Sequence, residues 1–435
     1  MIRLLYNLLF PLGLLLFLPS YLLKMRRRGN YQRNFGQRFG LYGLQVRARL
    51  AEQGPTWIHA VSVGEVTVAL KLAAKLRASE PGFRCVLTTT TTTGFAVAER
   101  QAADWMQVMY NPLDLWPIVQ RAFATIRPKR IVLVEAEVWP NLAAGARARG
   151  IPLALVNARL SSRSERRFRR FQPLVAPTFR CLDLVCVQER KDVDRWTSLG
   201  VAPDVIKEVG SIKYDPADAS GDCLLARRIL GSYGIEEARP ILLAGSTHPG
   251  EEEVLAGVFQ RLRAEFPSLV LVIAPRHVER TREIVARLEQ YGLRVALRSS
   301  VENGRVIEPD CLLLDTTGEL RDWYAVATVV FIGKSLTATG GQNPVEPILA
   351  GKPVVFGPHM ENFASVAESL LHHNGALRAA DANALVTGIA ELLRNPERRE
   401  CLVEHARAVL APHRGATQRT AELLLALQSH APADR

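Results

Sequence analysis

Trp57-Ile58-His59-Ala60-Val61-Ser62-Val63-Gly64-Glu65-Val66 decides how this chain is read. The apolar run Trp57 to Val63 reads as a buried strand. Gly64 breaks it, and Glu65 stands where a helix begins. A strand–glycine–helix turn brings side chains and backbone amides to the mouth of an α/β sheet, where such folds bind ligands. Two readings of Glu65 are open there. It is a general base, or it is an acid that favours the first turn of a helix.

Outward from this stretch, strand-like runs recur at Arg84–Thr88, Arg130–Val134, Pro152–Val156 and Leu184–Val187. Helical patterns lie between them. That alternation predicts a parallel sheet with helices on both faces. The stretch Lys213–Asp222, KYDPADASGD, shifts composition and reads as an interdomain linker. A second series follows, with strand candidates at Pro240–Ala244, Leu269–Ala274, Arg294–Ala296, Cys311–Asp315, Val329–Ile332 and Pro353–Phe356. An amphipathic stretch, Ala416–Gln428, closes the chain and is expected to cross back onto the first domain. The threonine run Thr88–Thr93 sits at a strand end before Gly94, where it supplies hydroxyls and a helix cap.

The length, 435 residues, exceeds one compact core, so two domains are expected. Six scattered cysteines, none in CxxC spacing, read as reduced core thiols. Nine histidines form no HExxH pattern, so no metal site is expected. The net charge of +12 calls for an anionic partner. Arginine concentrates at Arg26–Arg28 and between Arg159 and Arg170, where Phe168 and Phe171 interleave. Such a belt suits anionic headgroups beside acyl chains.

The first segment selects membrane over nucleic acid. Ile2 to Leu23 is almost wholly apolar, and about 20 such residues span a bilayer. Pro11, Gly13 and Pro19 leave a kinked span and a shallow anchor both open. The basic residues follow the run instead of preceding it, opposite to a cleavable signal. By the positive-inside rule the rest of the chain stays cytoplasmic. The expected layout is an anchor with basic flank at 1–28, a first domain at 29–215, a second at 216–412 and a terminal helix at 413–435.

Polar turns end the strands of the second half. Ala244-Gly245-Ser246-Thr247-His248-Pro249-Gly250-Glu251-Glu252-Glu253 suits a capping box, or presents hydroxyls and amides to a phosphate. Pro275-Arg276 places a guanidinium at a sheet mouth, suited to a phosphate or a base edge. Around Thr317-Gly318-Glu319 the glycine lets backbone amides approach a nucleotide closely. Gly340-Gly341-Gln342-Asn343-Pro344-Val345-Glu346 reads as a helix start whose amides form an anion site, with Glu346 placed to accept from a ribose diol. In the first half, Glu135 and Glu137 follow a strand beside Trp139, and Lys213 lies at the hinge.

These motifs together resemble the bacterial 3-deoxy-D-manno-octulosonic acid (Kdo) transferases of lipopolysaccharide synthesis. The resemblance rests on GQRFG, WIHAVSVGEV, VEAEVWPN, NARLSSRS, GSIKYD, AGSTHPGEEE, APRH, TTGEL and GGQNPVEP, and it runs from the first residues to about Pro358. It implies an α/β GT-B glycosyltransferase, two Rossmann-like domains facing a cleft, with no metal or other cofactor. The donor would be CMP-Kdo, the acceptor the lipid A precursor lipid IVA, and the setting the cytoplasmic face of the inner membrane. Glu65 would be the general base. Glu135 and Lys213 would stabilise the transition state, with Glu137 left open as an alternative to Glu135. Pro275, Arg276, Thr317, Gly318, Glu319, Asn343, Pro344, Val345 and Glu346 would surround CMP. Two rival readings stand beside it: another membrane-associated GT-B enzyme using a UDP-sugar, and a non-catalytic binder of anionic lipid or nucleotide.

Overall fold

Strands buried along both faces build the fold, and they do so twice. The computed structural model describes residues 3, 6–11, 13, 34–50, 54–160, 162–215, 223–303 and 308–427. The chain divides into two compact units, one of residues 1–215 with 413–435 and one of residues 216–412.

The first unit holds β1 (Thr56–His59), β2 (Cys85–Thr89), β3 (Met106–Tyr110), β4 (Arg130–Val134), β5 (Leu153–Ala158), β6 (Leu184–Val187) and β7 (Ile206–Glu208). Their order across the sheet is β3-β2-β1-β4-β5-β6-β7, and all pairs are parallel. Successive side chains face opposite layers. Trp57, Ile131 and Leu133 enter one core, with Phe123, Phe179 and Trp196. Ile58, Val132 and Val134 enter the other, with Leu72, Leu76 and Phe95. A sheet covered on both faces needs such continuous apolar strands.

The second unit holds β8 (Ile241–Thr247), β9 (Val270–Pro275), β10 (Val295–Leu297), β11 (Cys311–Leu313), β12 (Val329–Ile332), β13 (Val354–Phe356) and β14 (Leu377–Arg378). The order is β10-β11-β9-β8-β12-β13-β14, again all parallel. Both units are therefore doubly wound, Rossmann-like sheets. In each the strand order reverses beside the first strand, between β1 and β4 and between β8 and β12. Ligands bind in such folds outside the carboxyl ends of the strands at that reversal.

The expected strand Trp57–Val63 is too long. β1 ends at His59, and Val63 is already the first residue of the helix Val63–Ser79. Ser62 is extended and caps that helix, so the chain cannot continue as a strand. The strands β3, β7 and β14 were not expected at all. The closing helix spans Ala416–Ala426 and gives Ala421 and Leu424 to the first unit's core. Asp215 caps it, accepting from the N–H groups of Gly415 and Thr417, each at 2.7 Å. Of the linker, residues 216–222 lie outside the described residues, as does Gln428 at the expected end of that helix.

Most of the apolar segment 2–23 and the basic flank Arg26–Arg28 also lie outside the described residues. Among the described residues no helix is long and apolar enough to cross a membrane. Tyr6–Pro11 is helical. Asn7 and Asn141 exchange side-chain amide hydrogen bonds of 2.9 and 2.8 Å. Phe10 meets the ring of Trp139 edge-on at 6.4 Å.

His59 is fully buried, with Nδ1 3.1 Å from both the carbonyl and the hydroxyl oxygen of Thr88. Burial pushes it down to about 4. The unfolded chain therefore takes up a proton first, near the ordinary pKa of about 6.5. The stability contributed by neutral His59 is whole above that pH and is lost as pH falls towards 4, in total about 3 kcal/mol. We expect His59→Gln to flatten this acid limb, read as the difference between urea midpoints at pH 7 and pH 4.5. Equal losses in both proteins would refute it.

Candidate functional site

Glu65 follows β1 and Glu135 follows β4, so the two acids flank the strand reversal of the first unit. Glu65 unites its two sequence readings. Ser62 and Glu65 form a reciprocal capping box. The Glu65 carboxylate accepts from the Val61 N–H at 2.8 Å, the Ser62 hydroxyl at 2.8 Å and the Ser62 N–H at 3.3 Å. It nevertheless keeps 8% of its surface exposed. The carboxylate is thus buried and fixed in orientation, with only a small part of its surface accessible.

The threonine run explains why this turn is rigid. Thr89 and Thr91 both donate their hydroxyls to the Val61 carbonyl, at 3.1 and 3.0 Å, and the Thr91 N–H adds a third bond at 3.3 Å. Thr91 also caps the helix Thr92–Gln101 by accepting from the Gly94 N–H. A Cβ on Gly94 would stand 2.7 Å from the Thr89 hydroxyl and 2.8 Å from that of Thr91, so glycine is needed there. The sequence shows hydroxyls and a cap at this place but not what the hydroxyls grip.

Glu135 has φ +65 and Asn157, at the end of β5, has φ +51. A non-glycine residue in that region costs about 1–3 kcal/mol and persists only where surroundings impose it. The Asn157 side-chain oxygen accepts from the Ser211 hydroxyl and the Ile212 N–H, each at 3.1 Å. It thereby ties NARL to GSIKYD and positions Lys213. Burial, then the negative charge of Glu65, raises the pKa of Glu135, while Arg159 and Lys213 oppose the rise. Burial lowers that of Lys213, and Glu135 opposes it. Glu137 is raised by burial and by Glu65, and accepts from the Trp139 indole N–H at 3.1 Å. Of the two acids left open by the sequence, Glu135 is the one coupled to both cations.

On the helix Ser162–Arg170, Arg163, Arg166, Arg167, Arg169 and Arg170 are exposed. Phe168 is not part of an outer belt. Its ring packs edge-on against Phe179 at 5.5 Å, because the helix turns this position to the core. Phe171, just beyond the helix, is 46% exposed.

In the second unit the turns after β8 and β12 flank the reversal. The expected capping box at GSTHPGEEE is absent. Gly250, with φ +90, caps the helix Glu251–Arg263 without a side-chain bond. Glu251 instead lies fully buried and accepts backbone N–H groups of His248 (2.9 Å), Lys334 (2.7 Å), Ser335 (2.9 Å) and Leu336 (3.0 Å). The His248 amide of this turn and three amides of the turn after β12 are thus occupied by the protein's own carboxylate. Thr247 and Arg280 hold the neighbouring Glu252 at 2.9 and 3.1 Å.

The remaining expected residues sit at the same carboxyl ends. Pro275 ends β9, and Arg276 follows with an exposed side chain. Thr317 and Gly318 (φ +93) are exposed after β11, and Glu319 pairs with Arg298 at 2.8 Å. The helix Val345–Leu349 has only five residues, and Pro344 precedes its first turn instead of standing in it. Asn343, one residue before the cap position, accepts from the Val345 N–H at 3.0 Å and donates to Glu346 at 3.1 Å. Among the described residues no cluster of histidine, cysteine and acidic side chains has the form of a metal site.

Glu251→Ala would leave four backbone donors of the second unit without their acceptor, that of Ser335 buried and the other three part-buried. Each buried group left unpaired costs about 1–3 kcal/mol, so a loss of at least about 3 kcal/mol is expected. Urea unfolding of the variant checks this, and a midpoint like that of the parent chain would contradict it.

The family model described as 3-Deoxy-D-manno-octulosonic-acid transferase (kdotransferase) matches residues 33–216. A 3-deoxy-D-manno-octulosonic acid transferase of Bordetella pertussis is 36% identical over 92% of this chain and 94% of its own length. One of Haemophilus influenzae is 33% identical over 91% of each chain. Among solved structures, a UDP-GlcNAc 2-epimerase from Neisseria meningitidis bound to UDP-GlcNAc superposes with a TM-score of 0.55, covering 85% of this chain and 99% of that one at 11% identity. That likeness concerns the fold alone.

Proposed function

The chain belongs to the 3-deoxy-D-manno-octulosonic acid transferase family, and from that premise we propose how its residues divide the work. It is a glycosyltransferase that moves Kdo from CMP-Kdo to a lipid A-type acceptor in lipopolysaccharide synthesis. We propose lipid IVA as that acceptor, with the first unit binding it and the second binding CMP-Kdo in a GT-B arrangement.

The observation that carries the reading is the pair of carboxylates at the strand reversal, one backed by two cations. Glu65 takes the proton of the acceptor hydroxyl as that oxygen bonds the anomeric carbon of Kdo. The bond from that carbon to the CMP phosphate breaks, and CMP leaves with the electron pair. Attack opposite the leaving group inverts the centre. Glu135 and Lys213 stabilise the charge that develops. Lys213 is suited to this because burial leaves it little solvent to screen it. Pro275, Arg276, Thr317, Gly318 and Glu319 would hold the cytidylate, and Asn343, Pro344, Val345 and Glu346 its ribose side. The exposed Arg276 guanidinium supplies charge that a metal would otherwise bring, so no cofactor is invoked.

The experiment is transfer from CMP-Kdo to tetraacylated lipid IVA by the full chain, followed by mass spectrometry. The Kdo–lipid product is expected with and without EDTA. Glu65→Ala should slow transfer by at least about a hundredfold while CMP binding persists. Near-normal turnover in that variant would sink the assignment, and loss of activity with EDTA would sink the metal-independent reading.

We further propose that the protein works at the inner membrane, on its cytoplasmic face. The exposed arginines of the helix Ser162–Arg170 and the exposed Phe171 and Leu174 support it. Sedimentation with vesicles containing anionic lipid should weaken in Arg163→Ala/Arg167→Ala. Unchanged sedimentation would remove the headgroup role.

A further inference from the structure

A cavity of about 740 Å³ opens on the second unit at the amino ends of β8, β12 and β13, lined by Ile241, Thr328 and Pro353. The strands are parallel, so this is the end of the sheet opposite the turns that carry Arg276 and Asn343. Its volume suits a small molecule.

Cations are prominent in its lining. Arg227, Lys352, Arg399 and Arg407 all line it. Arg227 is paired at 3.4 Å with Glu237, itself 73% exposed, and Arg399 rests on the carbonyls of Leu392 and Leu393. The side chains of Lys352 and Arg407 have no hydrogen bond or ion pair among the described residues. Glu400 and Glu404 also border the cavity, and neither pairs with these two cations. Gly351 has φ +77, and a Cβ there would stand 2.8 Å from the Arg407 guanidinium, so the glycine admits that group against the turn. Burial lowers the pKa of Lys352, and Arg227 and then Arg399 act in the same sense. A half-buried ammonium held among guanidiniums is destabilised as it stands, and a bound anion relieves it. Leu230, Ile235 and Val403 give the cavity an apolar wall.

We propose that this cavity binds a small soluble anion bearing phosphate, a phosphomonoester or diphosphate, at a site separate from the donor residues. Its phosphate contacts Lys352 and Arg407, and its organic part lies on the apolar wall. Occupation ties the Gly351–Pro353 turn to the helix Pro396–Leu410, the last helix of this unit before the chain rejoins the first unit at His413.

The test is calorimetric titration of the purified full chain with inorganic pyrophosphate, which does not depend on transfer activity. Saturable binding is expected in the parent chain. Lys352→Gln/Arg407→Gln should weaken it about a hundredfold, about tenfold for each charge-assisted contact removed. Lys352→Arg, which keeps the charge, should retain affinity within about threefold. Arg276→Gln should leave it unchanged. Absence of saturable binding, equal affinity in the neutral double variant, failure of Lys352→Arg to retain affinity, or loss of binding in Arg276→Gln alone would each overturn the proposal.

Discussion

The Val61 peptide is the point on which the first site depends. Its N–H holds one oxygen of Glu65, and its carbonyl is gripped by Thr89 and Thr91. The grip works only if β1 and β2 are in register, with Ile58 opposite Leu87 and His59 opposite Thr88. That register is set by burial. Trp57 and Ile58 enter different cores, and a slip of one residue would exchange them. A choice of apolar residues in a strand therefore fixes the orientation of a carboxylate several residues later. The hydrogen bonds also keep the Glu65 side chain from searching rotamers.

The second unit repeats the device with a different outcome. Gly64-Glu65 and Gly250-Glu251 each open the helix after the first strand of their sheet, and each glutamate is held by backbone N–H groups. Glu65 retains some exposure, whereas Glu251 has none. The first keeps part of its surface within reach of a ligand. The second is an internal acceptor that holds the turn 334–336 in shape. The exposed Arg276 and Gly318 stand at the same carboxyl end of this sheet, after β9 and β11.

Much of this was legible in the sequence, and the gaps have physical causes. Arg130–Val134, Leu184–Val187 and Val329–Ile332 were read with their observed bounds, because apolar strands inside a covered sheet leave a continuous signal. The three strands missed, β3, β7 and β14, all lie at a sheet edge. Edge strands are short or carry polar residues, such as Gln107 in β3 and Lys207 in β7. Glu65, Glu135 and Lys213 were singled out from sequence, since charged residues beside apolar runs stand out. Asn157 and the grip of Thr89 and Thr91 were not, because both are bonds between segments far apart in the chain. Phe168 was misplaced for the related reason that a helix surrounded by arginine hides which side faces the core.

Backbone strain marks the same places. Of seven non-glycine residues with positive φ among the described residues, Glu135, Asn157, Ser246 and Lys334 stand at the carboxyl ends of β4, β5, β8 and β12. Pairing also slips there. The β5–β6 register shifts between Leu155 and Ala158, and the β8–β9 register between Gly245 and Thr247. Bulges of this kind re-aim side chains and end a ladder early. The strain is tolerated because each turn is bonded from several sides: Asn157 by the segment that carries Lys213, and Lys334 by Glu251. Removing such a bond would release the strain by letting the turn relax away from its working geometry. Stability and turn geometry are coupled at these four residues, so a variant there is expected to move its turn before it disturbs either core.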